Sequence, residues 1–210
     1  MATTAGRRLG SAGERTLQVR YGTQARAEAF YREQVIDELN GAMCAYIGRM
    51  EMAFVSTADA EGNCDCSFRA GPPGFVRVLN AHTLAYPEYR GNGVMASQGN
   101  IAENSHVGLL FVDFFGSSVG LHVNGRARIV ASGELAALSD APKAAAALED
   151  GAPHPERWVL VEVDEAYIHC SKHVPLLVKQ NKVTPWGTDD ARLKGGDYFG
   201  VSASRRNGGT

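Results

Sequence analysis

Two consecutive hairpin signatures, separated by a bend rich in proline and glycine, constrain the fold of this chain more than any other feature. The run MAFVSTADAEGNCDCSF holds two strand-like segments joined by a turn at AEGN, and FVRVLNAHTLAYP repeats the form with a turn at NAH. The AGPPG between them interrupts regular pairing, because proline has no N–H group for a β-ladder. Hairpins joined in series predict an antiparallel meander and not β-α-β alternation.

Three further runs complete the predicted sheet: HVGLLFVDF, VGLHVNGRARIV and WVLVEVDEAYIHC. A single short helix over residues 94–104 stands among the strands, and two short helices broken at Pro142 are predicted before the last one. A set of about six strands with helices at the ends predicts a mainly β protein, an antiparallel barrel with α additions.

The N-terminal part of the chain predicts helices that pack on this barrel. Apolar residues recur at helical spacing after Thr23, a candidate N-cap, and a second short helix should end near Arg49. We expect three regions: a flexible N-terminal arm (1–16), one domain that includes the helices (17–180), and a polar, glycine-rich C-terminal extension (181–210).

Composition excludes several classes of function. With 44% hydrophobic and 21% charged residues and a formal net charge of -2, the chain lacks the positive field of a nucleic-acid-binding protein. It has no apolar run long enough to span a bilayer and no signal-peptide core, so we expect a cytoplasmic protein. The four cysteines are then thiols, and the cysteines and histidines near Cys64 and Cys170 match no zinc spacing, so no metal is predicted.

The segment EYRGNGVMASQGNIAEN has the features of an anion-binding turn. Gly91 lets the main chain approach a ligand, Asn92 is a candidate helix cap, and Arg90 offers a planar fork of donors to phosphate. Ser97 and Asn100 are three residues apart, so they share a helix face and could add side-chain donors. The alternative is a tight turn with a solvated arginine.

Cationic residues elsewhere in the chain could extend this site. Arg69 closes a strand just before the bend and could project into the same cleft, or it could pair with a carboxylate at the surface. Arg77 is expected to face outward by strand alternation. Lys172 and His173 follow the last strand and could stabilise a reduced flavin ring, or they could be solvated residues at a strand end.

The run CDCSFRAGPPGFVRVLNAHTLAYPEYRGNGVMASQGNIAENSHVGLLF resembles the pyridoxamine 5'-phosphate oxidase-like, FMN-binding split-barrel family, particularly an uncharacterised bacterial and actinobacterial subgroup. The pieces GLHVNGRARIV and EAYIHCSKHVP extend the resemblance over residues 25–180. The resemblance implies a six-stranded split β-barrel that forms a homodimer, with two FMN sites at the interface. The residues implied for FMN are Arg69, Arg90, Gly91, Asn92, Ser97 and Asn100, and the HVNG strand and HCSKH segment would reach the ring from the partner subunit.

One departure from the family bears on the substrate. True pyridoxamine phosphate oxidases carry an arginine and histidine pair in a C-terminal motif that binds the substrate, and this chain ends GGDYFGVSASRRNGGT without such a pair. The resemblance therefore implies a different small-molecule substrate, with NAD(P)H as a possible electron donor and Lys172 or His173 as the candidate catalytic residues.

Two alternative functions are also consistent with the sequence. On the same fold the cofactor could be the deazaflavin F420, whose acidic tail could lie along Arg126 and Arg128. Alternatively, the chain could be a non-catalytic flavin or haem carrier or sensor. The candidate axial ligands for haem are His106, His122, His169 and His173.

Overall fold

The computed structural model of the chain describes residues 9–137, 155–182, 184, 185, 188, 190–193 and 195–207. The strands are β1 (Met52–Ala58), β2 (Cys64–Ala70), β3 (Arg77–Asn80), β4 (Thr83–Glu88), β5 (His106–Val112), β6 (Gly120–Val130) and β7 (Arg157–His169). The helices are α1 (Ala12–Tyr21), α2 (Gln24–Gln34), α3 (Gly41–Ile47), α4 (Ala96–Glu103), α5 (Ser132–Ala137) and α6 (Val201–Asn207). Short 3-10 helices cover Ser171–His173 and Ala191–Leu193.

The predicted fold class, mainly β with helical additions at the N-terminus, is confirmed, but the sheet has seven strands instead of six. All pairings between these strands are antiparallel, and both predicted hairpins form. Each of the seven strand-like runs of the sequence forms a strand of its own, since residues 71–76 separate β2 from β3 and the two strands pair with different neighbours. The second helix predicted around Pro142 lies outside the described residues.

The sheet curls into a barrel that is split between its two edges. Its strand order is β2-β1-β5-β6-β7-β4-β3, so the edge strands β2 and β3 are consecutive in the chain. The connection of residues 71–76 reaches at most about 25 Å, whereas a flat seven-stranded sheet measures about 29 Å from edge to edge. Arg69 on β2 and Glu88 on β4 form an ion pair at 2.9 Å. The two ends of the sheet therefore meet through side chains.

Glycine is required at the bend that separates β2 from β3. Gly74 has φ +76, and a Cβ there would lie 2.9 Å from the carbonyl oxygen of Gly48. Its N–H donates to the carbonyl of Met50, which ties the bend to the start of β1.

Arg77, the first residue of β3, was expected to face solvent. Its Nε is instead buried and has no hydrogen-bond partner among the described residues.

The barrel interior is filled by aliphatic and aromatic side chains from alternate positions of the strands, as period-two patterns predict. Its fully buried members include Val55, Tyr86, Leu109, Phe111, Val123, Val159 and Val161. A smaller cluster beneath α5, formed by Ala85, Val130, Leu135, Trp158 and Leu160, covers the opposite face of β4 and β7. Strand β7 is thus buried on both faces at its start and opens toward solvent at its end.

The N-terminal helices begin earlier than the sequence pattern indicated. Residues 12–16 lie in α1, not in an unstructured arm, because Ser11 and Glu14 form a reciprocal capping box at the helix start. Helix α2 follows Thr23 as predicted, although the Thr23 side chain makes no capping hydrogen bond. A pair of backbone hydrogen bonds between Ile36 and Ala166 fastens the end of this helical region to β7.

In the part of the chain that the structure describes, no helix is long and apolar enough to cross a membrane.

Candidate functional site

Helix α4 lies across the split of the barrel and packs against β1, β2 and β6. Ser97, in its first turn, is buried at 3% exposure. Its hydroxyl donates to the Asp65 carboxylate at 2.8 Å and lies 2.9 Å from the Ser67 hydroxyl. The Ser67 hydroxyl also donates to Asp65, at 2.7 Å. The hydrogen bonds from Ser67 and then from Ser97 lower the pKa of Asp65, so the carboxylate is ionised at neutral pH. Ser97 therefore fastens α4 to the edge strand β2.

Arg69 connects the two sides of the split. Its Nε and Nη2 both lie 2.9 Å from Glu88 Oε1, Nη1 donates to the Phe68 carbonyl at 3.2 Å, and Nη2 also lies 3.4 Å from Ser97 Oγ. From the sequence, Arg69 could either bind a cofactor or pair with a carboxylate. In the structure it forms an ion pair with Glu88. Most of the donors of Arg69 are thereby engaged within the protein.

Glu88 is a carboxylate buried at 5% exposure. Burial raises its pKa, and the Arg69 charge opposes that rise, followed by Arg157. Gln98 Nε2 donates to its other oxygen at 3.4 Å. Glu88 therefore depends on neighbouring donors for its ionised state.

Arg157, the first residue of β7, forms the outer boundary of the site. Its guanidinium donates to Gln98 Oε1 at 3.0 Å and contacts the sulfur of Met95. Together with Gly99 and Ile129, these residues line a shallow hollow of about 380 Å³. The hollow lies against the first turn of α4.

Asn100 extends the site by one helical turn. Its Nδ2 donates at 3.1 Å to the hydroxyl of Thr57, a residue of β1 that is buried at 3% exposure. Asn100 and Ser97 thus share one helix face, as predicted from their spacing, but both face the barrel wall. Their contacts hold α4 in place.

The start of α4 is the part of the site that fits an anionic group. Asn92 was expected to cap the helix, but the N-cap is Met95, in the left-handed region at φ 58, and no side chain caps the first turn. The Asn92 side chain instead accepts from the N–H of Val94 at 3.0 Å within the preceding turn. An uncapped helix start directs N–H groups and the positive end of the helix dipole outward, which suits a phosphate.

The predicted site residues lie in three places in the structure. Arg69, Ser97 and Asn100 belong to the buried hydrogen-bond network beneath α4. The turn of Arg90, Gly91 and Asn92 is exposed and leads directly into α4. Lys172 and His173 are exposed in the 3-10 helix that follows β7.

The charges of the buried network balance one another, since the arginines Arg69 and Arg157 face the carboxylates Asp65 and Glu88. This network therefore has no excess positive charge to offer a phosphate.

Sequence reasoning missed five members of the network: Thr57, Asp65, Glu88, Gln98 and Arg157. Glu88 had a detectable signal, because it is a charged residue at the end of the apolar run LAYP of β4. Arg157 had none, since 59 positions separate it from Gln98, the residue that it contacts.

A pair of histidines lies on the outer face of β6 and β7. His122 Nε2 and His169 Nδ1 are 3.0 Å apart, and burial followed by the His169 charge lowers the pKa of His122. Among the residues that the structure describes, no group of three or more histidine, cysteine or acidic side chains could hold a metal ion.

Comparison with known proteins adds a family match. Residues 39–170, more than half of the chain, match the family model for pyridoxamine 5'-phosphate oxidase. No curated protein matches the chain.

Several solved structures are similar to the chain at low identity. HupZ of Group A Streptococcus is 24% identical with a TM-score of 0.46, over 61% of this chain and 92% of that protein. A putative pyridoxamine 5'-phosphate oxidase from Lactobacillus delbrueckii is 21% identical with a TM-score of 0.45, over 63% and 95% of the two chains. An F420 reductase is 16% identical with a TM-score of 0.40, over 60% and 94%.

We predict that Arg69→Ala destabilises the fold in a pH-dependent manner. The change leaves the buried Glu88 carboxylate without its main cationic partner, so its pKa rises further. A carboxyl group whose folded-state pKa is raised favours folding at low pH, and this contribution is lost as the pH rises through the folded-state value. The loss of unfolding free energy in urea, about 3 kcal/mol at pH 8, should be smaller at pH 5, because a raised pKa favours protonation of Glu88 as the pH falls.

Arg128→Ala is the matched control for this measurement. It removes a half-exposed arginine paired with the half-exposed Glu134, so the expected loss is below about 1 kcal/mol and similar at both pH values. Equal losses for Arg69→Ala at the two pH values would mean that Glu88 does not depend on Arg69.

Proposed function

Because the chain belongs to the pyridoxamine 5'-phosphate oxidase family, we propose that it is an FMN-dependent oxidoreductase acting on a small molecule. The observation that carries the proposal is the uncapped start of α4 next to the exposed turn of Arg90. A phosphate there would receive backbone N–H groups, the helix dipole and a guanidinium.

The residues of the site would hold the cofactor in two ways, by direct contact and by positioning α4 and β2. Arg90, Gly91 and Asn92 would contact the phosphate from the turn, while Ser97, Asn100 and Arg69 would keep α4 and β2 in position beneath it. When bound, FMN supplies hydride or electron exchange with a small substrate or a nicotinamide donor. Ordered donors at the phosphate lower the entropic cost of orienting the ring.

Lys172 and His173 are the candidates for contact with the ring or substrate. Both are exposed in one subunit, and a homodimer could place them against the partner's site. In that position a cation would stabilise negative charge on the reduced ring.

F420 is the alternative cofactor, and its acidic tail would need unpaired basic residues. Arg126 lies 3.9 Å from Asp164, and Arg128 forms an ion pair with Glu134. These carboxylates compete with an acidic tail, which is why we favour FMN. The other alternative is that this barrel is a non-catalytic carrier or sensor that binds flavin or haem.

The absorption spectrum of the purified protein tests the cofactor directly. We expect the two bands of bound FMN, their bleaching on addition of NADH or NADPH without oxygen, and release of FMN on boiling. A single F420 band in place of the two FMN bands would identify the cofactor as the deazaflavin. A Soret band without released flavin would overturn the proposal in favour of haem.

We predict that Arg90→Ala weakens FMN binding by about 1.5–3 kcal/mol, because one charge-assisted contact to the phosphate is lost. Calorimetric titration of FMN into the apoprotein measures the change. Arg32→Ala, which removes an exposed arginine on α2 that pairs with Glu33, is the control and should bind FMN as the wild type does. Unchanged affinity in Arg90→Ala would remove Arg90 from the site.

We also propose that the outer face of β1, β2 and β5 forms the interface of a homodimer. Phe54 lies opposite both Phe68 and Leu110 in the strand register, and the two phenylalanine rings are 5.6 Å apart. Phe68 is 56% exposed in the single chain. Phe68→Glu should shift the mass measured by light scattering from dimer to monomer, and a wild-type monomer that retains FMN would contradict a shared site.

A further inference from the structure

A second cleft lies between the N-terminal helices and the end of β7, apart from the network beneath α4. Its volume is about 800 Å³, which suits a small organic molecule. Its lining combines aromatic rings with charged side chains. The members that matter below are Glu14, Arg26, Phe30, Tyr31, Glu165 and Tyr167.

Tyr167 forms the aromatic floor of the cleft. One face of its ring stacks on His122, with centroids 4.7 Å apart and planes at 19°. Phe30 of α2 meets it edge-to-face, with centroids 6.0 Å apart. His122 is in turn fixed by its hydrogen bond to His169, so the floor has a defined orientation.

The walls of the cleft are held together by hydrogen bonds. The Tyr31 hydroxyl donates to Glu14 at 2.6 Å and accepts from Gln18 at 2.9 Å, which joins α1 to α2. The two backbone hydrogen bonds between Ile36 and Ala166 join the residues after α2 to β7. A cleft built in this way is largely formed before a ligand arrives, which lowers the cost of binding.

Two carboxylates, Glu14 and Glu165, line the cleft together with the aromatic rings. Glu165 Oε1 accepts from Asn124 Nδ2 at 2.9 Å. Among the described residues, no side chain or backbone group donates a hydrogen bond to Glu165 Oε2. Burial raises the pKa of Tyr167, a hydrogen bond with Asn124 lowers it, and the negative charges of Glu165 and Glu14 raise it. Arg26 is the one cation among the lining residues that the structure describes.

The histidines beneath the floor add little positive charge at neutral pH, because the pKa of His122 is lowered by burial and by His169.

We propose that this cleft binds a small aromatic molecule that carries a protonated amino group. The ring of the ligand would pack against Phe30 and Tyr167, and its ammonium group would donate to the available oxygen of Glu165. Aromatic faces and carboxylates both attract cations, and partial burial strengthens the attraction. The proposal concerns a site separate from the start of α4 and does not rest on the presence of FMN.

Phenethylamine and phenylacetate are the probes for this proposal, since they carry similar side chains on one ring and differ in the sign of their charge. Each is titrated into the full-length protein at pH 7 and followed by calorimetry and ligand-observed NMR. We expect saturable binding of phenethylamine with a Kd on the order of 1 mM or tighter. Phenylacetate should bind about tenfold more weakly or not at all.

Variants locate the site. Glu165→Gln preserves the shape of the side chain and should weaken phenethylamine binding about tenfold, whereas the binding of phenylacetate should not weaken, because a repelling charge is removed. Phe30→Ala should weaken the binding of both probes, with circular dichroism to verify folding. Glu61→Gln, in the exposed turn between β1 and β2, is the control and should bind as the wild type does.

Two results would overturn the proposal: no saturable binding of phenethylamine to the wild type, or binding that Glu165→Gln leaves unchanged. Either result is independent of the FMN spectrum, because the two sites are tested with different ligands and different variants.

Discussion

The ion pair between Arg69 and Glu88 is the interaction on which the arrangement of this protein depends. It joins β2 to β4, which are separated by four other strands in the order of the sheet. The backbone ladder stops at both edges, so the closure of the barrel relies on side chains. Because both partners are largely buried, each needs the other to offset the loss of water.

Helix α4 makes use of this closure. Its first turns contact β2 through Ser97, β4 through Gln98 and β1 through Asn100, so the helix is held from below on three strands. Its N-terminus is consequently presented at the surface with no side chain to cap it. The barrel thus supports α4 along the inner face of the helix and leaves the positive end of the helix exposed. This arrangement suits the binding of an anionic cofactor.

The fold was largely predictable, and the inner half of the site was not. Period-two patterns and turn residues identified every strand, because alternation and turn chemistry are local properties. The spacing of Ser97 and Asn100 correctly placed them on one helix face. Their partners depend on how the sheet curls, and no local pattern encodes the approach of Glu88 to Arg69. The N-cap at Met95 was also missed, because the usual N-cap residues are serine, threonine, aspartate, asparagine and glycine, and methionine is not one of them.

The bend at residues 71–76 has a consequence for how this chain tolerates change. In a continuous strand, one inserted or deleted residue moves every following side chain to the opposite face of the sheet. Here β2 takes its register from β1, and β3 takes its register from β4, on either side of the bend. The length of the connection can therefore vary without disturbing either ladder, provided that it still spans the gap and that Arg69 still reaches Glu88.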